Sequence, residues 1–289
     1  MKVSGFTIAK NAVTFDYPVV EAITSVLPVC DEFVVNIGDC GDGTLELIQA
    51  INSPKIKIIQ SIWDDTLREG GKLLANETNR AFDVIDSKSD WAFYIQADEV
   101  LHEKHVDTVR AAMEANKYDM KVEGLLFNYT HFYGSYDYVG NSRRWYRNEI
   151  RVIRNDKHIR SYKDAQGFRK NDEKLYVKCI DASIYHYGWV KPPKAQQDKQ
   201  KSFHKMWHDD EGVKKMVSTA DEFDYNTIDS LTEFTGTHPA VMQKRILNQN
   251  WEFTFDTSKI NLSFKDKLLA QIEKLSGWRV GENKNFKVI

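Results

Sequence analysis

The chain has 289 residues, of which 42% are hydrophobic and 28% charged, the balance of an ordinary water-soluble globular protein. Its 40 Lys and Arg against 42 Asp and Glu leave a formal net charge of −2, which argues against a general nucleic-acid footprint. Cys30, Cys40 and Cys179 are few, odd in number and without metal-ligand spacing, so buried or incidental thiols in a reducing compartment are expected.

The N-terminus runs straight into an apolar stretch, Val3 to Ile8, read as a first buried strand ending at Lys10-Asn11. It has neither the apolar core nor the cleavage site of a secretory leader, and no stretch reaches transmembrane length. A cytoplasmic protein is expected, with peripheral contact at the inner membrane face left open. Val19, Val20, Ile23, Val26 and Leu27 form a helical stripe that Pro28 stops. Glu32 to Gly38 is the second strand and runs into the turn Asp39-Cys40-Gly41-Asp42-Gly43-Thr44, ahead of a helix to about Ile51. Lys55 to Gln60 gives a third strand, Trp63-Asp64-Asp65 a loop, and Gly70-Gly71 precedes a long helix through Ile85. Trp91 to Ile95 is the fourth strand, and it ends at Gln96-Ala97-Asp98-Glu99. Strand and helix therefore alternate three times in the first hundred residues, the pattern of a mostly parallel sheet covered on both faces. Right-handed crossovers put Lys10, Asn11, Asp39, Asp42, Asp64, Asp65 and Asp98 on one rim, where ligands of open α/β sheets gather.

A helix follows over Val106 to Met113, then a strand over Leu125 to Tyr129. Thr130 to Tyr146 is aromatic and glycine-punctuated, ending in Arg143-Arg144-Trp145-Tyr146-Arg147, a loop or hairpin suited to a ring-shaped polar ligand. Ile150 to Arg154 and Ser183 to Trp189 read as further strands. Beyond Pro192-Pro193 the character changes: Lys194 to Trp207 looks helical, Asp209-Asp210-Glu211-Gly212 is a turn, and Pro239 to Leu247 and Phe264 to Leu275 are helical. Two units are expected, an α/β domain over 1–193 and a mainly helical extension over 194–289 packed on it.

The first strand with Lys10-Asn11, the Asp39 to Thr44 turn and the Gln96-Ala97-Asp98-Glu99 strand end together resemble the family 2 glycosyltransferases of the GT-A fold, nearest to bacterial enzymes of surface polysaccharide and lipopolysaccharide synthesis. The similarity is firmest over residues 1–103 and usable to Trp189. It implies a Rossmann-like nucleotide-diphospho-sugar fold and donor contacts from Thr7, Ala9, Lys10, Asn11, Asp39 and Asp42, with Cys40 where a serine is common. Where the family has an Asp-x-Asp metal element this chain has Gln96-Ala97-Asp98, so Asp98 inherits the ionic work and Glu99 is a helper or a structural partner. In the long helix Asn79 matches the family's Arg-Asn pair but Thr78 stands for the Arg. Lys72 after Gly70-Gly71 is a substitute cation at a helix N-terminus or simply a solvated charge. His186 resembles the later His that completes a metal or diphosphate site. Asp164, in Ser161-Tyr162-Lys163-Asp164-Ala165-Gln166-Gly167-Phe168, is the expected base, with Asp172 and Glu173 as rivals.

The implied activity is inverting transfer of a sugar from a UDP- or GDP-sugar to a hydroxyl of a carbohydrate or lipid-linked acceptor, assisted by Mn²⁺ or Mg²⁺. The competing reading is a protein that kept the fold, binds carbohydrate or nucleotide sugar, and lost turnover; Gln96 is its mark. A sugar-phosphate nucleotidyltransferase fits poorly, because Phe6 to Asn11 contains no glycine-rich phosphate loop.

Overall fold

A computed structural model describes residues 1–64, 66, 67, 69–205 and 219–289. The sequence readings at Asp65, Trp207 and Asp209-Asp210-Glu211-Gly212 lie outside the described residues. The expected α/β architecture is present. Strands β1 (Val3–Ala9), β2 (Glu32–Gly38), β3 (Ile56–Ser61) and β4 (Trp91–Tyr94) pair in parallel in the order β3-β2-β1-β4. Between them run α1 (Val19–Val26), α2 (Thr44–Gln49) and α3 (Lys72–Val84). All four strands therefore end on one edge, and the segments after Ala9, Gly38, Ser61 and Tyr94 share it.

Alternation along these strands sorts the core into two layers. Phe33, Val35 and Ile37 of β2 with Trp91 and Phe93 of β4 pack with Val19, Ile23 and Val26 of α1. Val34, with Phe6 and Ile8 of β1 and Ala92 and Tyr94 of β4, packs on the other face with Leu73, Ala81 and Phe82 of α3. Phe6 meets Phe82 and Tyr94 at ring-centroid distances of 5.4 and 5.2 Å, and each such fully buried ring is worth about 1.5–3 kcal/mol relative to leaving it exposed.

Past β4 the sheet turns mixed. A short β5 (Glu99–Leu101) follows the 95–98 turn, and α4 (Val106–Ala115) comes after it. Then β6 (Gly124–Tyr133) and β7 (Ser135–Gly140) form a hairpin about Gly134, and β8 (Asn148–Arg154) inserts antiparallel between β4 and β6. A separate three-stranded sheet, β9 (Ile159–Tyr162), β10 (Gly167–Lys170) and β11 (Glu173–Lys174), carries the Asp164 turn. The strand expected over Ser183 to Trp189 is longer, β12 (Tyr176–Trp189), parallel to β6 and antiparallel to β5. The later segment contributes α5 (Pro193–Lys205), a strand β13 (Leu231–Glu233) on β7, helices Gln243–Leu247 and Phe264–Ser276, and β14 (Lys287–Val288) on β12. None of the helices among the described residues is long and apolar enough to cross a membrane.

Candidate active site

A cavity of about 760 Å³ opens at the edge where β1 and β4 end. That volume suits a sizeable small molecule. Ala9, Lys10, Asn11, Gln96, Ala97, Asp98, Asp164 and His186 line it, together with Tyr17, Trp63, Tyr146, Trp189 and, from α5, Lys199. The cavity wall thus comes from the strand ends, β12, the Asp164 turn and α5, with Leu73 and Leu74 of α3 adding to it.

Asp98 lines the cavity and is buried. Its Oδ2 accepts from Lys199 Nζ at 3.1 Å, while His186 Nε2 lies 3.8 Å from Oδ1. Lys199 Nζ also donates to the Gly188 carbonyl at 2.9 Å and lies 5.0 Å from the Tyr17 ring centroid. Burial alone would raise the Asp98 carboxyl, but Lys199, then His186 and Lys191, outweigh it and hold it well below the usual range. Burial likewise works against the Lys199 ammonium, yet Tyr17 and Asp98 keep its pKa above the ordinary lysine value. Lys191, wholly buried with Nζ donating to the Phe15 carbonyl at 2.8 Å, goes the other way: burial and then Lys199 drive its pKa far down. Gly188 makes the close packing possible. A β-carbon there would stand 2.6 Å from His186 Nε2 and 2.7 Å from Asp98 Oδ2.

A pair of histidines fixes which nitrogen faces Asp98. His131 Nε2–H donates to the Tyr146 carbonyl at 2.8 Å, so His131 Nδ1 accepts from His186 Nδ1–H at 3.0 Å. His186 Nε2 is then left with its lone pair. Burial pushes His186 down to about 4 and His131 down to about 3, so both rings are neutral near pH 7.

Glu99 serves the scaffold. Arg151 clamps it with two 2.7 Å bonds, both side chains fully buried, and Tyr129 Oη–H adds a third at 2.8 Å. The same guanidinium donates to the Gln166 carbonyl at 2.9 Å, and Gln96 Nε2 donates to the Ala165 carbonyl at 3.2 Å. Gln96 after β4 and Arg151 of β8 therefore both tether the Asp164 turn. That turn is strained, with Lys163 at φ 54° and Ala165 at φ 60°. Asp164 is half-buried; burial raises its carboxyl, and the N–H groups of Asp164 and Gln166 oppose that without cancelling it.

Several residues singled out from the sequence do not line the cavity. Thr7 is buried, its hydroxyl donating to the Ile95 carbonyl. Asp39 is exposed beside a smaller cavity of about 200 Å³, where it accepts from Lys10 Nζ at 2.8 Å and from Trp63 N–H at 3.1 Å; these contacts, the Lys10 bond first, lower its pKa. Asp42 closes the turn before α2 by accepting from the Thr44 hydroxyl and the Thr14 N–H. Lys72 is exposed on the first turn of α3. Asn79 accepts from Ser161 N–H at 2.8 Å and ties α3 to β9. Arg143 holds Glu273 and the Val280 carbonyl, and Trp145 stacks on His131 at 5.1 Å, so both build structure, whereas Trp189 does reach the cavity. Lys199 and Lys191 beside Asp98, and His131 beside His186, are the neighbours the sequence reading missed. Only the run Lys191 to Lys201, basic beyond the ordinary, signalled the first two.

A divalent cation was expected on Asp98 and His186. The donor set does not fit one. Asp98 already carries an ammonium, Glu99 is locked in the Arg151 fork, and the Gln96 side chain brings no charge. Among the described residues no three His, Cys, Asp or Glu side chains gather at a metal-binding spacing. Two unit charges 4 Å apart interact by about 4 kcal/mol at an effective dielectric of 20, and a dication beside an ammonium meets about twice that as repulsion.

No family model and no curated protein sequence matches the chain. Solved structures similar to it include GT-A-type glycosyltransferases. S. aureus TarS is 14% identical with a TM-score of 0.42, over 70% of this chain and 39% of that one. The 1–349 form of TarS in complex with UDP gives 14% and 0.41, over 70% and 64%. The chain therefore spans less than two thirds of either TarS form. M. tuberculosis glucosyl-3-phosphoglycerate synthase with Mn²⁺, UDP and phosphoglyceric acid gives 15% and 0.31, over 45% and 43%. The 4-diphosphocytidyl-2C-methyl-D-erythritol synthase of Anaerococcus prevotii, at 12% and 0.34 over 53% and 70%, is similar as well. Likeness at this level concerns the course of the chain and says nothing of substrate.

Proposed function

We propose that the chain is a nucleotide-sugar glycosyltransferase, moving a hexose from a UDP- or GDP-sugar to a hydroxyl of a carbohydrate or lipid-linked acceptor with inversion. The observation that carries this reading is one cavity at the strand ends that holds both a half-buried carboxylate with a raised pKa, Asp164, and a cationic centre, Lys199 on Asp98. Inverting glycosyl transfer needs no protein nucleophile; it asks for a base at the acceptor and positive charge at the leaving diphosphate, and the cavity offers both.

In the proposed step Asp164 takes the acceptor proton as the acceptor oxygen bonds to the anomeric carbon. The bond from that carbon to the phosphate oxygen breaks on the opposite side, and its electron pair leaves with the nucleoside diphosphate. Lys10 and Asn11 face the nucleoside, with Asp39 holding Lys10 from outside the cavity; Trp189 faces a sugar ring, and His186 Nε2 accepts a hydrogen bond from the donor. No step passes through Mn²⁺ or Mg²⁺. The division into a donor-handling unit over 1–193 and an extension over 194–289 belongs to this proposal, supported by the way α5 delivers Lys199. So do a role in surface polysaccharide synthesis and a cytoplasmic setting with peripheral contact at the membrane when the acceptor is lipid-linked.

A second reading, binding without turnover, is favoured by Gln96, whose amide nitrogen is spent on the Ala165 carbonyl where the resembled family has a carboxylate. Release of nucleoside diphosphate from a panel of UDP- and GDP-sugars, with and without saccharide acceptors, separates the two. Turnover that disappears in Asp164→Asn supports transfer; donor binding with no turnover on any acceptor supports the second reading.

A further inference from the structure

We propose that Lys199 is the resident cation of this site: its ammonium, carried in on α5 and seated on Asp98, supports the leaving diphosphate in place of a metal ion. The inference rests on the reading that the cavity takes a nucleoside diphosphate donor.

Three observations lead to it. First, Lys199 is fixed as a ligand-binding group is fixed. Two oxygens, Asp98 Oδ2 at 3.1 Å and the Gly188 carbonyl at 2.9 Å, take two of its three N–H bonds, and the side chain still lines the cavity. Second, the side chains beside Asp98 bring little to a cation site: Glu99 is committed to Arg151, and Gln96 carries no charge. Of these three side chains only Asp98 carries charge into the cavity, and Lys199 sits on it. Third, the backbone makes room for this pairing, since any side chain at Gly188 would strike both Asp98 and His186. Charge placed where negative charge develops, in a site already organised around it, needs no rearrangement during reaction. A lysine, as a point charge with three rotatable donors, serves a diphosphate in that role.

Calorimetric titration with UDP and with GDP tests the inference, in chelator and in Mn²⁺, on the full chain and on Lys199→Met, Lys199→Arg and Asp98→Asn/Lys199→Met. The wild-type protein is expected to bind one of the two nucleotides equally well in chelator and in Mn²⁺. Lys199→Met should weaken that binding at least tenfold in chelator, Lys199→Arg should restore most of it, and Mn²⁺ should rescue Lys199→Met through the freed Asp98 and His186. The double variant buries no unpaired charge; it should fold, bind weakly and not respond to Mn²⁺. Wild-type binding that requires Mn²⁺, or Lys199→Met binding as tightly as wild type in chelator, overturns the inference while leaving the donor reading standing. Failure of both nucleotides to bind the wild-type protein under either condition overturns the donor reading and the inference with it.

Discussion

Gly71 offers the sharpest test of how the Asp164 turn is held. Gly71 and its neighbour Gly70 both sit in the left-handed region, at φ 73° and 65°. Alanine at either position costs about 1–2 kcal/mol for that backbone conformation. Their surroundings differ. A β-carbon at Gly71 would lie 2.8 Å from Asp164 Cα and 2.9 Å from Asp164 N and Cβ, whereas among the described residues nothing stands within 4 Å of one at Gly70. Gly71→Ala must push the Asp164 backbone away, because main chain cannot rotate aside as a flexible side chain can. A displacement of about 1 Å at a reacting group costs roughly 10²-fold in rate. Gly71→Ala should therefore lose about two orders of magnitude in kcat and keep its affinity for UDP or GDP. Gly70→Ala should lose only the backbone contribution to stability and keep its rate. Steady-state kinetics, nucleotide titration and thermal unfolding on the pair decide the matter. Equal kcat in the two variants, or an equal fall in both, refutes the placement of Asp164 in the reaction.

Asp164→Asn is expected to lower kcat by about 10²–10⁴-fold. Because burial raises this carboxyl and a base must be ionised to act, the wild-type rate should fall on the acid side at a pH above the ordinary aspartate value, and the variant's residual rate should lack that limb. Asp98→Asn leaves the largely buried Lys199 without its charge partner, a change expected to cost about 3–5 kcal/mol in chemical denaturation. The Asp98 carboxyl is depressed in the folded state, so its contribution is present above the unfolded aspartate pKa and is lost as pH falls through the folded value. The stability of the wild-type protein should therefore decline more steeply in acid than that of the variant. Glu149, buried and pushed up to about 8, behaves in the opposite sense. Its stabilisation is complete below the unfolded glutamate value and lost as pH rises through about 8, so Glu149→Gln should flatten the fall in stability between those limits, read from denaturant midpoints across the range.

The first hundred residues were legible because buried parallel strands read as near-continuous apolar runs, as Trp91 to Ile95 does and as Phe33 to Ile37 does apart from Asn36. The strand Tyr176–Trp189 was only half legible: Lys178 and Asp181 interrupt its apolar pattern, Lys178 in regular register with Leu125 and Asp181 where the register shifts between Cys179 and Ser183. The four-residue strands flanking Asp164 are too short for periodicity to register, so the turn was read from its residues and not from a hairpin. Gln96 stood out as a departure, but its bond to Ala165 joins residues 69 apart, and no local pattern encodes that. Lys199 was the hardest to see. On a polar helix with Lys194 and Lys201 it reads as one more solvated charge, and only tertiary packing carries it to Asp98.

The Asp98–Lys199 contact spans 101 residues of chain, and this separation has a consequence for synthesis. At about 5–20 residues per second, the carboxylate leaves the ribosome roughly 5–20 s before the lysine that neutralises it. During that interval the strand-end rim can assemble, since Ile95 N–H already bonds to the Phe6 carbonyl within the early parallel strands. Its acidic centre, however, stays hydrated and uncompensated. The nascent α/β sheet is thus a frame without its counter-charge, and the arrival of α5 both closes the cavity and sets its polarity.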